Sequence, residues 1–350
     1  MAPHNESPMI QRLELKNFTV FESLEIDFSP GVNIFIGENG TGKTHVLKLM
    51  YSVLASCFQR VHPGTKLKDV FRPEGSIQRL VRRELAKPVT GTFMVGTDTD
   101  EFTGHIEKVI SKTSGFLGFD AYVGAAATKK LVTRPIYIPP KEILAEAAKT
   151  IALEREWELP ISAVEIDYIS TILLPERKTT SPLSLPSSLL KRLIAVVGGS
   201  VIQEEDRFYI REKAGKCEFS LVAEGHRKLA ALSILMQKNL IDNNTIIFWD
   251  EPENNMNPKL LKFLVELLIE LQRSGVQIFL ATHSYALLKL FDLLKRCDNI
   301  TYHHFKSNPV TRGKKVEMKS SDDSLIITES SISETYLELY DMEVERAFSE

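Results

Sequence analysis

The stretch Gly37-Glu38-Asn39-Gly40-Thr41-Gly42-Lys43-Thr44 constrains this chain more than any other feature. It matches the pattern G-x-x-x-x-G-K-[ST] in the setting that pattern requires. Val32 to Ile36 is an apolar run that reads as a buried strand, and beyond Thr44 the residues Val46, Leu47, Leu49, Met50, Val53 and Leu54 recur at helical spacing. Glycines let the backbone wrap close enough for its N–H groups to point at phosphate oxygens, and a helix N-terminus adds partial positive charge behind them. In that arrangement Lys43 meets the β- and γ-phosphates of a nucleotide, and Thr44 places its hydroxyl on Mg2+.

A second signal lies far along the chain. Ile246-Ile247-Phe248-Trp249-Asp250-Glu251 is an apolar strand ending in two carboxylates, at the sheet edge where α/β proteins bind ligands. The two acids suit different work: Asp250 orients magnesium, and Glu251 polarises a water that attacks the γ-phosphate. Between and after these motifs the chain alternates. A helix is expected from about Glu224 to Lys238, a strand over Thr245 to Trp249, a helix from Pro258 to Arg273 and a strand over Gln277 to Ala281. Alternating strands and helices imply an α/β fold built on a parallel sheet.

Composition narrows the class further. With 43% hydrophobic and 25% charged residues in 350, the chain has ordinary globular composition, which excludes disordered, collagenous and disulfide-scaffold proteins. A net charge of −3 provides no broad cationic coat, so any nucleic-acid contact must be local. Cys57, Cys217 and Cys297 are far apart and form no C-x-x-C pair, which suggests neither a zinc site nor a disulfide framework and fits a reducing cytoplasm. Met1 to Pro8 has no apolar signal core and no stretch approaches a membrane span, so an unprocessed cytoplasmic protein with no membrane association is expected.

The motifs together resemble the ABC-type ATPase heads, in the branch that includes RecF, the SMC-like repair ATPases and the OLD-family proteins. Ile10 to Phe18 and Phe28-Ser29-Pro30-Gly31-Val32-Asn33 look like that branch's N-terminal strands. Asp250-Glu251-Pro252-Glu253 with Asn257-Pro258 looks like its Walker B and D-loop, and Ala281-Thr282-His283-Ser284 like its switch histidine. Ala223-Glu224-Gly225-His226, at a helix start, resembles a degenerate ABC signature, with Ala223 where the family has serine. The resemblance implies a P-loop head with a mixed parallel and antiparallel sheet and an inserted lobe between phosphate loop and signature. It also implies that two copies sandwich two ATP–Mg2+, with His283 sensing the γ-phosphate and the signature contacting the nucleotide held by the other subunit.

The expected organisation is an ATPase core from 1–59 and 200–315, a lobe over 60–199 that is β-rich and then helical, and an acidic helical tail over 316–350. Within the lobe, helical patterns are expected over Lys141 to Leu153 and Ser187 to Val197, and the tail ends in a helix from about Ser331 to Phe348. Its Tyr336, Leu337, Leu339, Tyr340 and Val344 either dock a partner or pack on the domain. The 178 residues between Thr44 and Ala223 exceed those of transporter subunits and lack the heptads of a long coiled-coil arm. Only 67 residues follow His283, too few for the nuclease domain of OLD proteins, and Asp322-Asp323 reads as a surface acidic pair. The expectation is therefore an ATPase whose effector is a separate polypeptide, similar to the ATPase subunits of anti-phage systems such as Septu, which assemble with a nuclease.

Two other readings stand beside it. One is a RecF-like repair ATPase that closes on DNA, with Arg79, Arg82, Arg83, Lys129, Lys130 and Arg134 either meeting phosphates or lying as solvated charge. The other is a slow-turnover scaffold locked by ATP. Gln78 is a positional candidate for the glutamine that couples such sites to the lobe, and Phe18 and Phe21 either stack near adenine or belong to the core.

Overall fold

The computed structural model describes residues 9–82, 89–108, 121–123, 133–157, 161–178, 187–310, 313–323 and 331–349. The chain opens with β1 (Ile10–Phe18), β2 (Phe21–Asp27) and β3 (Val32–Gly37), then α1 (Lys43–Gln59) and α2 (Pro63–Phe71). Next come β4 (Val89–Thr97), β5 (Glu101–Lys108), β6 (Ala121–Val123) and β7 (Arg134–Ile138), followed by helices α3 (Ala147–Trp157), α4 (Ala163–Leu173) and α5 (Ser187–Val197). A three-stranded meander of β8 (Ser200–Glu204), β9 (Arg207–Glu212) and β10 (Gly215–Glu218) leads into α6 (Glu224–Gln237). The chain continues through β11 (Thr245–Asp250), α7 (Pro258–Arg273), β12 (Gln277–Thr282), α8 (Tyr285–Leu294), β13 (Ile300–Val310), β14 (Gly313–Ser321) and α9 (Ser331–Ser349).

The central sheet has the order β14-β13-β3-β12-β11-β7, parallel except for the β13–β14 edge hairpin. Its strands β3, β11 and β12 are buried at every position because structure covers both faces. The period of two then sorts their side chains. Ile34, Ile36, Ile247 and Trp249 enter one core with α6, α7 and α8, while Phe35, Ile246, Phe248 and Phe279 enter a second with α1 and the antiparallel strands. In the second core the Phe248 and Phe279 rings stack at 5.2 Å, and Phe28 meets Phe279 edge-on at 5.1 Å. The fold is thus a P-loop α/β head with a mixed sheet, as the motifs imply.

Strand pairing redraws the expected domain limits. β4 pairs with β1, and β7 pairs with β11, so 89–108 and 134–138 belong to the core sheets rather than to a lobe spanning 60–199. The reason is hydrogen bonding: without β4 the edge of β1 would expose its backbone groups, and Phe93 and Val95 would lose the core that Leu13 and Leu15 share. Likewise β14 completes the hairpin with β13, so the acidic tail begins after Ser321 and not at 316. The helix expected over Lys141 to Leu153 is a 3-10 turn (Leu144–Glu146) running into α3.

Along α9, Tyr336 stacks on Tyr285 at 4.7 Å, yet Leu337, Leu339, Tyr340 and Met342 remain exposed. Packing on the domain therefore accounts for little of its apolar surface. No described helix is long and apolar enough to cross a membrane.

Candidate active site

The loop between β3 and α1 is shaped by its glycines. Gly42 sits at φ 95° as the residue that starts α1, with no side-chain cap and no acidic group in the first turn, so the first helical N–H groups stay available. A Cβ on Gly42 would lie 2.5 Å from Phe21 Cζ, and Gly40, at φ 80°, faces open space. Thr41 Oγ1 donates to Glu38 O (2.8 Å), while Glu38, Asn39 and Gly40 form the exposed rim. Lys43 folds back over the loop, its Nζ donating to Gly37 O (2.6 Å) and Glu38 O (2.9 Å). Burial pushes its ammonium pKa down, and the nearby carboxylates of Glu251, Asp250, Glu253 and Glu38 oppose that shift. A lysine held by neutral carbonyls in the path of a phosphate is suited to exchange them for anionic oxygens.

Parallel pairing of β12 with both β3 and β11 brings the second motif to the same sheet edge. Thr44 Oγ1 donates to Asp250, at 3.1 Å from each carboxylate oxygen. Burial raises the Asp250 pKa, opposed by hydrogen bonds from Thr44 and Tyr137 and by the charges of Lys48 and Lys43. A hydroxyl and a buried carboxylate in contact form a hard-oxygen donor set, which fits Mg2+ bound through few protein ligands. Thr44 and Asp250 are the residues that would hold it.

Glu251 turns away from the strand. Its φ of 48° is left-handed, and its N–H donates to Ala281 O (2.9 Å), which aims the side chain at the end of β12. There its Oε2 lies 2.6 Å from His283 Nδ1. Burial first, then the neighbouring Glu253, pushes the Glu251 pKa up to about 7, partly offset by the adjacent His283 imidazole. Glu253 accepts a hydrogen bond from Thr282 Oγ1 (2.5 Å). Glu251, Glu253 and His283 thus form a compact acid and imidazole cluster, with donor atoms within 4.8 Å of one another. A carboxyl poised near neutrality beside an imidazole can accept a proton from water.

The signature segment is built against the turn that follows Glu251. Ala223 is the N-cap of α6 and makes no side-chain cap bond. Gly225 is required by close approach, since a Cβ there would lie 2.9 Å from Asn255 O. Glu224 accepts from Asn255 Nδ2 (2.9 Å) and from the Glu142 N–H (3.3 Å), and His226 is half-buried. Lys228, one turn on and buried, donates to Asn254 O (2.8 Å). Arg227 Nε pairs with the buried Glu142 at 2.5 Å. The side-chain hydrogen bonds of Glu224 and Lys228 thus run to Glu142 and to the turn at Asn254 and Asn255.

Several expected residues take other places. Phe18 and Phe21 are fully buried, in edge-on contact with Phe71 and tilted contact with Phe305 respectively, so they are core and not adenine platforms. Gln78 lies on a 3-10 turn (Ile77–Leu80), whereas β7, which borders β11 on the side away from β12, is followed by Pro139-Pro140-Lys141-Glu142 without a glutamine. Of the basic cluster, Arg79 pairs with Glu74, Arg82 with Glu22, and Arg134 lies over the Phe58 ring; Arg83, Lys129 and Lys130 fall outside the described residues. Sequence reasoning assigned no role to Tyr137, Glu142 or Lys228. Lys228 lies in the signature-like segment from Ala223 to Leu229, whereas Tyr137 and Glu142 belong to no motif and reach the site only through strand pairing and contacts with α6.

Two family models match the chain: "AAA ATPase domain" over residues 9–93, and "AAA domain, putative AbiEii toxin, Type IV TA system" over residues 162–289. Among curated proteins, the DNA replication and repair protein RecF of Streptococcus suis is 28% identical over 109 residues, covering 31% of this chain and 29% of that protein. RecF of Listeria welshimeri is 36% identical over 84 residues, covering 23% of this chain and 22% of that protein. The matched region thus spans less than a third of the length of these relatives. Among solved structures, an Smc head bound to the C-terminal domain of ScpA, from Pyrococcus furiosus, aligns with a TM-score of 0.51 at 13% identity, covering 92% of this chain and 99% of that one. A second Smc head, bound to the C-winged helix domain of ScpA, gives a TM-score of 0.51 at 14% identity, covering 91% and 100%. These likenesses establish the head fold.

Proposed function

We propose that this chain, an ATPase head of the RecF and SMC type, binds ATP–Mg2+ on residues 37–44 and hydrolyses it when a second copy closes over the nucleotide. The observation that carries this reading is the meeting of Lys43, Thr44, Asp250 and Glu251 at one sheet edge, with Glu251 2.6 Å from His283. The uncapped start of α1 and the loop N–H groups bind phosphate oxygens, and Lys43 leaves its two carbonyls to neutralise the terminal phosphates. Bound magnesium supplies further charge neutralisation and orientation of the phosphates. Glu251 takes the proton from the attacking water, and His283 holds the Glu251 carboxylate in place.

Closure by a second copy completes the site through Ala223, Glu224, Gly225 and His226. Ala223 offers no hydroxyl donor, so closure relies on backbone N–H groups at the start of α6 and is weaker for it. Substituting Glu251→Gln should keep ATP binding, lower turnover by about 100-fold or more and accumulate a dimer visible by native mass. Unchanged turnover would remove Glu251 from the base role, and a monomer under saturating ATP would remove the sandwich.

The effector is a finer question. A second polypeptide, such as a nuclease in an anti-phage system, is supported by the family description, which names a "putative AbiEii toxin, Type IV TA system", and by the exposed apolar side of α9. DNA as the regulator is supported by the RecF relatives, named for DNA replication and repair. Native mass with co-expressed neighbouring gene products, beside turnover with and without DNA, separates the two.

A further inference from the structure

Asp250 accepts from a second donor that the phosphate-loop chemistry does not call for. Tyr137, on β7 beside β11, is 2% exposed, and its hydroxyl donates to Asp250 Oδ2 at 3.3 Å. Thr44 Oγ1 is equidistant from the two carboxylate oxygens, at 3.1 Å each, and so does not by itself set the rotation of the carboxylate. Tyr137 reaches one oxygen only and breaks that symmetry. A phenol beside a carboxylate can only be the donor of the pair, so the direction of this bond is fixed.

Tyr137 is itself held. The ring of Tyr51, from α1, packs edge-on against it with centroids 5.4 Å apart, and Tyr51 also meets Phe248. The Tyr51 hydroxyl donates to Asp167 Oδ2 (2.5 Å) on α4, and the same oxygen pairs with the buried Lys66 of α2 (2.5 Å). Gln59 reaches the other Asp167 oxygen at 3.3 Å. Two phenylalanines would fill this volume equally well as apolar surface. The hydroxyls are what differ, and burying them is costly unless each is bonded as here.

We propose that Tyr137 is a positioning residue that fixes the orientation of the Asp250 carboxylate for the metal–nucleotide, and that Tyr51 holds Tyr137 in register by anchoring to Asp167 of α4. The proposal rests on the ATP–Mg2+ reading of the site. It makes Tyr51 and Tyr137 one unit that joins α4, outside the sheet, to the carboxylate at the sheet edge.

The test uses the full chain with Tyr137→Phe, Tyr51→Phe and the double substitution. Binding of a fluorescent ATP analogue is titrated against Mg2+ and repeated in EDTA, beside turnover. Y137F should raise the Mg2+ concentration for half-maximal binding about three- to tenfold, the scale of one ordinary hydrogen bond, as suits a contact of 3.3 Å. Its affinity in EDTA should stay within about twofold of wild type, because the phosphate loop is untouched. Y51F should give a smaller shift, and the double variant should be no worse than Y137F alone, since residues acting as a unit are not additive.

An unchanged Mg2+ requirement in Y137F, or an equal loss with and without Mg2+, overturns the positioning role while leaving ATP binding intact. A wild-type chain without Mg2+-dependent nucleotide binding overturns the proposed function as well. Should Y137F unfold below the assay temperature, Y51F carries the same test. It loosens Tyr137 without removing its hydroxyl, and an unchanged Mg2+ requirement there overturns the proposal.

Discussion

Gly40 and Gly42 stand two residues apart in the phosphate loop, both at positive φ, but alanine should have different consequences at each. At Gly40, φ is 80° and nothing lies within 4 Å of a new Cβ. The cost there is conformational alone, about 1–2 kcal/mol for an L-residue held in left-handed backbone. At Gly42, φ is 95°, so a similar conformational cost applies, but the Cβ would also lie 2.5 Å from Phe21 Cζ and 2.7 Å from Val20 Cγ2. Phe21 cannot swing aside, because it is fully buried and packs on Phe305 with ring centroids 6.0 Å apart. Overpacking of this kind costs a further ~1–3 kcal/mol. Urea unfolding of the two variants, followed by tryptophan fluorescence, should therefore place the midpoint of Gly42→Ala below that of Gly40→Ala. With a slope of about 3 kcal/mol per M the gap is about 0.3–1 M. Equal midpoints, or a lower midpoint for Gly40→Ala, would refute the packing argument and with it the placement of Phe21 beneath the loop.

Three further outcomes are expected. Lys43→Ala should lower nucleotide affinity about 100-fold or more in calorimetry, since charge-assisted contacts to phosphate are lost; wild-type affinity would contradict the phosphate-loop assignment. Gly225→Ala places a Cβ 2.9 Å from Asn255 O, so the start of α6 and the turn after Glu251 must part. A loss of about 1–3 kcal/mol in stability and failure of the ATP-dependent dimer by native mass are expected, and an unaltered dimer would uncouple that contact from closure. His303 is fully buried, its Nε2–H donating to Asn33 Oδ1 (3.2 Å) and its Nδ1 accepting from Ser320 Oγ (2.7 Å), and burial pushes its pKa down to about 3 from 6.5. The unfolded chain then binds the extra proton between those pH values, so stability from this group is complete above pH 6.5 and is lost as pH falls toward 3. The loss reaches at most ~5 kcal/mol, and His303→Gln should flatten this acid limb in denaturation curves recorded across pH; an unchanged limb would show that the imidazole is not the titrating group.

Much of the site was legible in the chain because its chemistry is local. Gly37 to Thr44 carries its loop geometry and its lysine within one short stretch, and the apolar runs Val32–Ile36 and Ile246–Trp249 announce strands buried on both faces whatever else surrounds them. The bounds of α5 and α7 were also readable, because a cap, a proline or a glycine ends each pattern locally. Composition alone set the ordinary globular class and the absence of a broad cationic coat.

Pairing between distant segments was decided only by the tertiary structure. Nothing near residue 93 states that β4 will border β1, and nothing near residue 134 states that β7 will lie beside β11; hydrogen-bond partners along a sheet are chosen by the whole topology. That choice made 89–108 part of the core. It carried Tyr137 to Asp250, and helix packing set Tyr51 against it. The near-neutral pKa of Glu251 belongs to the same class, since it arises from burial and the neighbouring Glu253, and is held back by a histidine that β12 brings to the end of β11. A motif names the groups a reaction needs, but burial and orientation depend on neighbours far away in the chain, and only folding supplies them.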